Sequence, residues 1–234
     1  MITTTYRGQV RCGKIYHFRD TSVSDKTHPT IPGFVNINVT SGGNSRFKAL
    51  SPMKLGPFDM TEVLKPMLYY PTGVLPGCTQ INNTHQNMHV EIFENIWQGS
   101  KVYAVDLVNN LVQPSFFERR AKMARDHSPH RRALPKAGNT VVTSYWNGNF
   151  YPYVQSRYFY CFYYIGLVLR TPEYAELVNM VNSGVNVHII GFDGRDIPIT
   201  AESMLQAIFD PTYPFGHELV LCCLLTGLTP WNSL

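Results

Sequence analysis

Glu94, Gln98 and Lys101 place an acid, an amide and a base inside one ten-residue stretch, ENIWQGSKVY, together with two large aromatics. On a helix turning roughly 100° per residue they stand at about 0°, 40° and −20°, so three different polar groups share one narrow stripe. A carboxylate can stabilise a developing cation or activate water. An amide reads hydrogen-bonding edges, and an ammonium holds phosphate. A solvent-facing stripe has the same spacing, so the pattern alone leaves both uses open.

Other residues could join such a site. GFDGRD sets Asp193 between glycines, directly after the apolar run VNVHII. A carboxylate at a strand end is well placed for chemistry, although a turn satisfied by its own Asp is the plainer alternative. His217 opens an apolar helix after PFG, where a helix N-terminus favours neutral imidazole or an anion. Trp146, in SYWNG, sits among turn-formers and is expected on an exposed loop as a stacking platform or a packing anchor. Arg157 and Tyr160 lie on an aromatic-rich helix. An arginine in that company needs a carboxylate or phosphate partner, and Asp193 and Glu94 are the candidates. His85 and His89 have an i, i+4 spacing that can bind metal on one helix, but no cysteine accompanies them. Phosphate-loop, dinucleotide-loop, HExxH, paired CxxC and GxSxG motifs are all missing, so no metal and no cofactor are expected.

The elements that must carry these residues follow from local patterns. Strand character is expected within Thr3–Arg19, loop from Asp20 to Pro32, and a half-buried strand in FVNINVT (Phe34–Thr40), with Asn36, Asn38 and Thr40 on one face. LSPMKLGP is a loop stiffened by two prolines, and residues 69–85 read as irregular. A helix surrounds Glu94, and residues 113–150 mix short helical pieces with basic loop. Pro152 starts a long helix to about Arg170. Thr171-Pro172-Glu173 starts another that stops at Gly184, and Thr200 caps a third to about Phe209. Val185–Ile190 is a buried strand. The expected architecture is one α+β domain over 1–234, mainly helical with a small sheet: an extension at 1–32 and a core at 33–228.

The 234 residues are 44% hydrophobic and 15% charged, a folded composition rich in Tyr (14) and Phe (13), which also suit stacking on planar ligands. The formal charge of +4 does not by itself indicate nucleic acid. The segment Arg119 to Lys136 nevertheless concentrates seven Lys and Arg residues, as a solvated loop or an anion site. Cys161, Cys222 and Cys223 sit in apolar helical patterns and read as buried thiols of a reducing compartment. The longest apolar run, Leu219–Leu225, is too short to span a bilayer, and without a basic stretch followed by an apolar one near Met1 no signal peptide is expected. A cytoplasmic protein with no membrane partner is expected.

The ordered series NVTSGG, LSPMKLGP, ENIWQGSKVY, SYWNG, GFDGRD and PFGHELVL resembles an uncharacterised family of phage, giant-virus and bacterial proteins, over roughly Asn36 to Leu225. Glu218 stands where that family tends to have glycine. More distantly, the LSP loop followed by a helix bearing Glu94, Gln98 and Lys101 is similar to the NADAR domain over about 60 residues. NADAR proteins cleave N-glycosidic bonds in nucleotide-like molecules, including ADP-ribose attached to guanine. The resemblance implies a NADAR-like fold and an N-glycosidase-like hydrolase acting through an oxocarbenium-like state.

By that resemblance Glu94, Asp193 and Lys101 are catalytic. Asn38, Ser51, Gln98, Trp146, Arg157, Tyr160 and His217 contact a nucleotide-like small molecule or modified nucleic acid. In a viral protein the compartment would be the host cytoplasm. A DNA- or RNA-binding accessory protein without chemistry, and a glycosyl or ADP-ribosyl transferase, remain the rival readings.

Overall fold

The structure is a computed structural model that describes residues 11–13, 34–38, 46–64, 84–134, 140–183, 186–190, 197 and 199–234. In chain order its strands are β1 Arg11–Gly13, β2 Phe34–Asn38, β3 Phe58–Leu64, β4 Thr84–Val90, β5 Lys101–Val102, β6 Leu107–Val108, β7 Leu111–Val112, β8 Thr143–Trp146, β9 Asn149–Tyr151 and β10 Asn186–Ile190. Its α-helices are α1 Phe93–Gly99, α2 Pro114–Ala124, α3 Tyr153–Val168, α4 Pro172–Asn182, α5 Ala201–Phe209 and α6 His217–Thr226. The fold mixes helices with small sheets. None of the described helices is long and apolar enough to cross a membrane. Contacts divide the chain into two compact units, one formed by 1–54 with 161–234 and one by 55–160.

In the first unit, β10 lies between β1 and β2 and runs parallel to both, with Ile189 beside Cys12 and Ile37. β10 is the central strand of this parallel sheet, which fits the full burial of Ile189 and the β-branched Val187, Ile189 and Ile190 along it. Helix starts follow the capping rules. The Thr171 hydroxyl accepts from the Tyr174 N–H (3.2 Å) ahead of Pro172 at the first position of α4. The Thr200 hydroxyl accepts from the Ser203 N–H (3.1 Å) at α5. α6 is buried on nearly every side, including Cys222 and Cys223, and ends where Gly227 takes φ +72°, a conformation that favours glycine. Cys161, Cys222 and Cys223 are buried free thiols.

In the second unit, β3 and β4 pair antiparallel from Phe58↔Val90 to Leu64↔Thr84. His85 and His89 therefore stand on a strand, about 13 Å apart along it at ~3.3 Å per residue, not on one helical face. Among the described residues no cluster of three His, Cys, Asp or Glu is arranged to hold a metal. The strands β5, β8 and β9 form a second antiparallel sheet, and β6 with β7 a short hairpin. Both hairpin turns use residues that tolerate positive φ: Asn109-Asn110 (51° and 63°) and Asn147-Gly148 (47° and 78°). Positive φ at both central residues is the turn whose twist matches the flanking strands. Val102, Val112, Phe116 and Tyr145 form the core between these strands and α2.

Candidate functional site

α1 buries Phe93, Asn95, Ile96, Trp97 and Gln98, and leaves Glu94 half-buried. It ends one residue after Gln98. Gly99 lies against α2, where an added Cβ would stand 3.5 Å from the Arg120 Cα, and the Ser100 N–H closes on the Ile96 carbonyl (3.0 Å). Lys101 is therefore not on the helix. It opens β5, opposite Ser144 of β8. The expected helical stripe is replaced by a hydrogen-bonded series across the helix end: Gln98 Nε2 donates to Glu94 Oε1 (2.7 Å), and Lys101 Nζ donates to Gln98 Oε1 (2.9 Å). This order fixes which way the amide points, because Lys101 can only donate and an ionised Glu94 only accepts.

Aromatic rings surround the basic end of the series. The Lys101 ammonium stands 5.2 Å from the Trp97 ring and 5.6 Å from that of Tyr153, and the Arg157 guanidinium stands 5.4 Å from Tyr153. Cation–ring attraction at these separations holds both charges near one face cluster. Trp97 contacts Tyr153 at 6.1 Å and meets Tyr160 edge-on at 4.8 Å. Arg157 is 1% exposed, so the expectation of a buried arginine holds. Trp97 and Tyr153 were not singled out from the sequence as site residues. Their signal was present in the spacing, since Trp97 precedes Gln98 and Tyr153 lies one helical turn before Arg157.

Trp146 departs from expectation. It is fully buried in β8, not exposed on a loop, and its ring stacks on Trp97 (6.1 Å) and Phe159 (5.5 Å, 6° between planes). Asn147-Gly148 is the turn, and the residues before it are strand. An Asn-Gly pair between β-forming residues is the hairpin signal that identifies this arrangement.

The basic segment is also two different things. Arg119 and Arg120 belong to α2 and are paired inside the protein. Arg119 binds Asp106 through two hydrogen bonds, while the same carboxylate accepts from the Tyr103 N–H (2.9 Å). Arg120 binds Glu62 through both terminal guanidinium nitrogens (2.5 and 2.6 Å), and its Nε donates to Ser100 Oγ (3.0 Å). Both side chains of that second pair are almost completely buried. Burial, then the Glu62 charge, pushes the Tyr145 hydroxyl up to about 12, opposed by Arg120. Lys122, Arg125, Arg131 and Arg132 remain exposed, and Lys136 lies outside the described residues.

In the first unit, Ser51 is buried with its Oγ accepting from the Met53 N–H (3.4 Å). The Tyr164 hydroxyl donates to the Leu50 carbonyl (2.7 Å), and its ring lies 5.9 Å from that of His217. The LSP and PFGHE segments thus meet at Tyr164. Burial first, then the charge of Glu218, raises the Tyr164 hydroxyl well above its ordinary range. His217 Nδ1 stands 3.3 Å from buried Glu218 at the start of α6.

The structure thus brings Glu94, Gln98, Lys101, Trp146, Arg157 and Tyr160 into one cluster in the second unit. Ser51 and His217 belong to the first unit. Asn38 ends β2, and its side chain is outside the described set; Asp193 lies outside the described residues. No family model, curated protein or solved structure matches the chain.

Proposed function

We propose that this chain is an N-glycosidase-like hydrolase with a NADAR-like fold, acting on a nucleoside, nucleotide or ADP-ribosyl group. The supporting observation is the series Glu94–Gln98–Lys101, hydrogen-bonded end to end and set beside the Trp97 and Tyr153 rings. Hydrolysis breaks the bond from the anomeric carbon to the base nitrogen. The electron pair leaves with the base, which takes up a proton, and water adds to the sugar and loses one. Glu94 is the carboxylate that would stabilise the cationic sugar or accept the proton of the water. Gln98 orients that carboxylate and tethers Lys101 at a fixed reach. Lys101 and Arg157 would hold a phosphate.

The resemblance implies roles for Asp193, Ser51, Asn38 and His217 as well, and within the second unit Tyr160 backs the Trp97 ring. Trp146 is buried, so it supports Trp97 from behind, and half-buried Tyr153 takes the stacking role. The test is incubation with a panel of nucleosides, nucleotides and ADP-ribosylated bases, with mass detection. Release of free base with one water added to the sugar supports the reading. Transfer of the sugar to another acceptor would make the protein a transferase, and binding without release of base would remove the enzymatic reading.

A further inference from the structure

The exposed cations after α2 sit on a loop that is braced from inside. Asn95 on α1 is fully buried, and its side chain makes three hydrogen bonds to that loop. Its Nδ2 donates to the carbonyls of Asp126 (2.8 Å) and Ser128 (3.0 Å), and its Oδ1 accepts from the His130 N–H (2.7 Å). Asp126 adds two further ties, accepting from the Ser128 N–H (2.8 Å) and facing His130 Nε2 at 2.7 Å. A few residues on, Ala133 is buried against Tyr103 and Met123, with Leu134 packed alongside. Arg125, His127, Arg131 and Arg132 are exposed on the segment these anchors hold, and Lys122 is exposed on the last turn of α2. A solvated basic loop needs no such bracing. Fixing its backbone costs roughly 1–2 kcal/mol per residue in conformational entropy.

The loop also reaches toward the aromatic cluster. Ala133 packs on Tyr103, which follows β5 two residues after Lys101, and the Lys101 ammonium stands 5.6 Å from the Tyr153 ring. Tyr153 is the half-buried ring flanked by Lys101 and Arg157. Guanidinium groups on a braced backbone near a half-buried ring are the combination that tracks a phosphodiester backbone while a base stacks. An acidic protein surface would use the charges and leave the ring idle.

We infer that the braced loop 125–134, with Lys122, is a docking surface for a single strand of nucleic acid that runs toward Tyr153. The inference stands whether or not Glu94 is catalytic.

The test is fluorescence anisotropy with labelled single-stranded DNA and RNA of one sequence, about 20 nucleotides long, which exceeds the ~4–16 nucleotides such a groove covers. The wild-type chain is compared with the triple variant Arg125→Gln, Arg131→Gln, Arg132→Gln. A control of equal charge, Lys48→Gln, Lys54→Gln, Arg170→Gln, removes cations from the other unit. All three changed positions of the loop variant are exposed, and thermal melting checks that each variant folds. The loop variant should lose about tenfold or more in affinity at ~0.1 M salt, and its log–log salt slope should become shallower by about 2. The control should stay within about twofold of wild type, since its cations would contact no phosphate. Tighter binding of either the DNA or the RNA, lost in the loop variant, supports the surface and says which sugar it prefers. Absence of wild-type binding, equal losses in loop variant and control, or displacement of the strand by polyglutamate at equal charge would overturn it.

Discussion

Breaking the Glu62–Arg120 pair from one side should destabilise the second unit more than removing both partners. Glu62 and Arg120 are about 1% and 3% exposed, and two charge-assisted hydrogen bonds of 2.5 and 2.6 Å join them. In Arg120→Met the buried Glu62 carboxylate loses both of those bonds and keeps the longer one from the Asn147 N–H (3.4 Å), and Ser100 Oγ loses its donor. Leaving a buried charge in that condition costs about 3–5 kcal/mol. Glu62→Leu should cost a similar amount, because it strands the guanidinium between Tyr145 (5.0 Å) and Trp146 (6.0 Å). The double variant Glu62→Leu/Arg120→Met removes both desolvation penalties, so it should lie within about 2 kcal/mol of wild type. Urea unfolding followed by tryptophan fluorescence in a Trp231→Phe background reports on the right unit, since Trp97 and Trp146 both belong to it. With singles of about 3 kcal/mol or more and a double within about 2, coupling between the two changes should reach about 4 kcal/mol or more. Strict additivity, or a cost below about 1 kcal/mol for Arg120→Met, the range of an exposed pair, would refute the view of this pair as a buried keystone of the unit.

Two further outcomes follow from the same contacts. Asn95→Ala strands the carbonyls of Asp126 and Ser128 and the His130 N–H, so limited trypsin digestion should nick the chain at Arg125, Arg131 or Arg132 faster than in the wild type; an unchanged digestion pattern would show that the loop is held by other means. Tyr145 and Tyr164 are neutral acids whose folded pKa lies above the unfolded value of 10.0, so the folded state keeps protons that the unfolded state releases. Their stabilising contribution is complete below pH 10 and is lost as pH rises toward about 12, the Tyr145 value. Ultraviolet titration should therefore show these tyrosinates appearing together with unfolding, and their ionisation in an intact fold would contradict the burial.

The parts legible in the sequence are those set by neighbours along the chain. Thr171-Pro172 and Thr200 announce their helices because capping is local. β10 is legible because Val187, Ile189 and Ile190 are β-branched and favour a paired strand. The helix at Glu94 is also legible, but its end is not: Gly99 closes against Arg120, and that contact joins residues far apart in the chain. Trp146 is not legible as buried, because its neighbours Asn147 and Gly148 are turn-formers, whereas its burial depends on pairing with β9 opposite Asn149 and on stacking against Trp97 and Phe159. The Glu62–Arg120 pair spans 58 residues, and Asn95 reaches 31 to 35 residues to its loop, so no periodicity encodes either one. The basic segment looked uniform because composition does not distinguish an arginine paired in a core from one facing water.

The most direct measurement compares wild type with Glu94→Gln on the substrate that the nucleotide panel identifies, following both release of base and equilibrium binding. The substitution keeps an acceptor for Gln98 Nε2, so the series to Lys101 and the fold should survive, with an unchanged melting temperature. If Glu94 supplies the carboxylate, turnover should fall by about 10²–10⁴-fold while the dissociation constant moves little. Full turnover in the variant would reduce Glu94 to a half-buried acid that holds Gln98 in place, and the glycosidase account of this chain would fail with it.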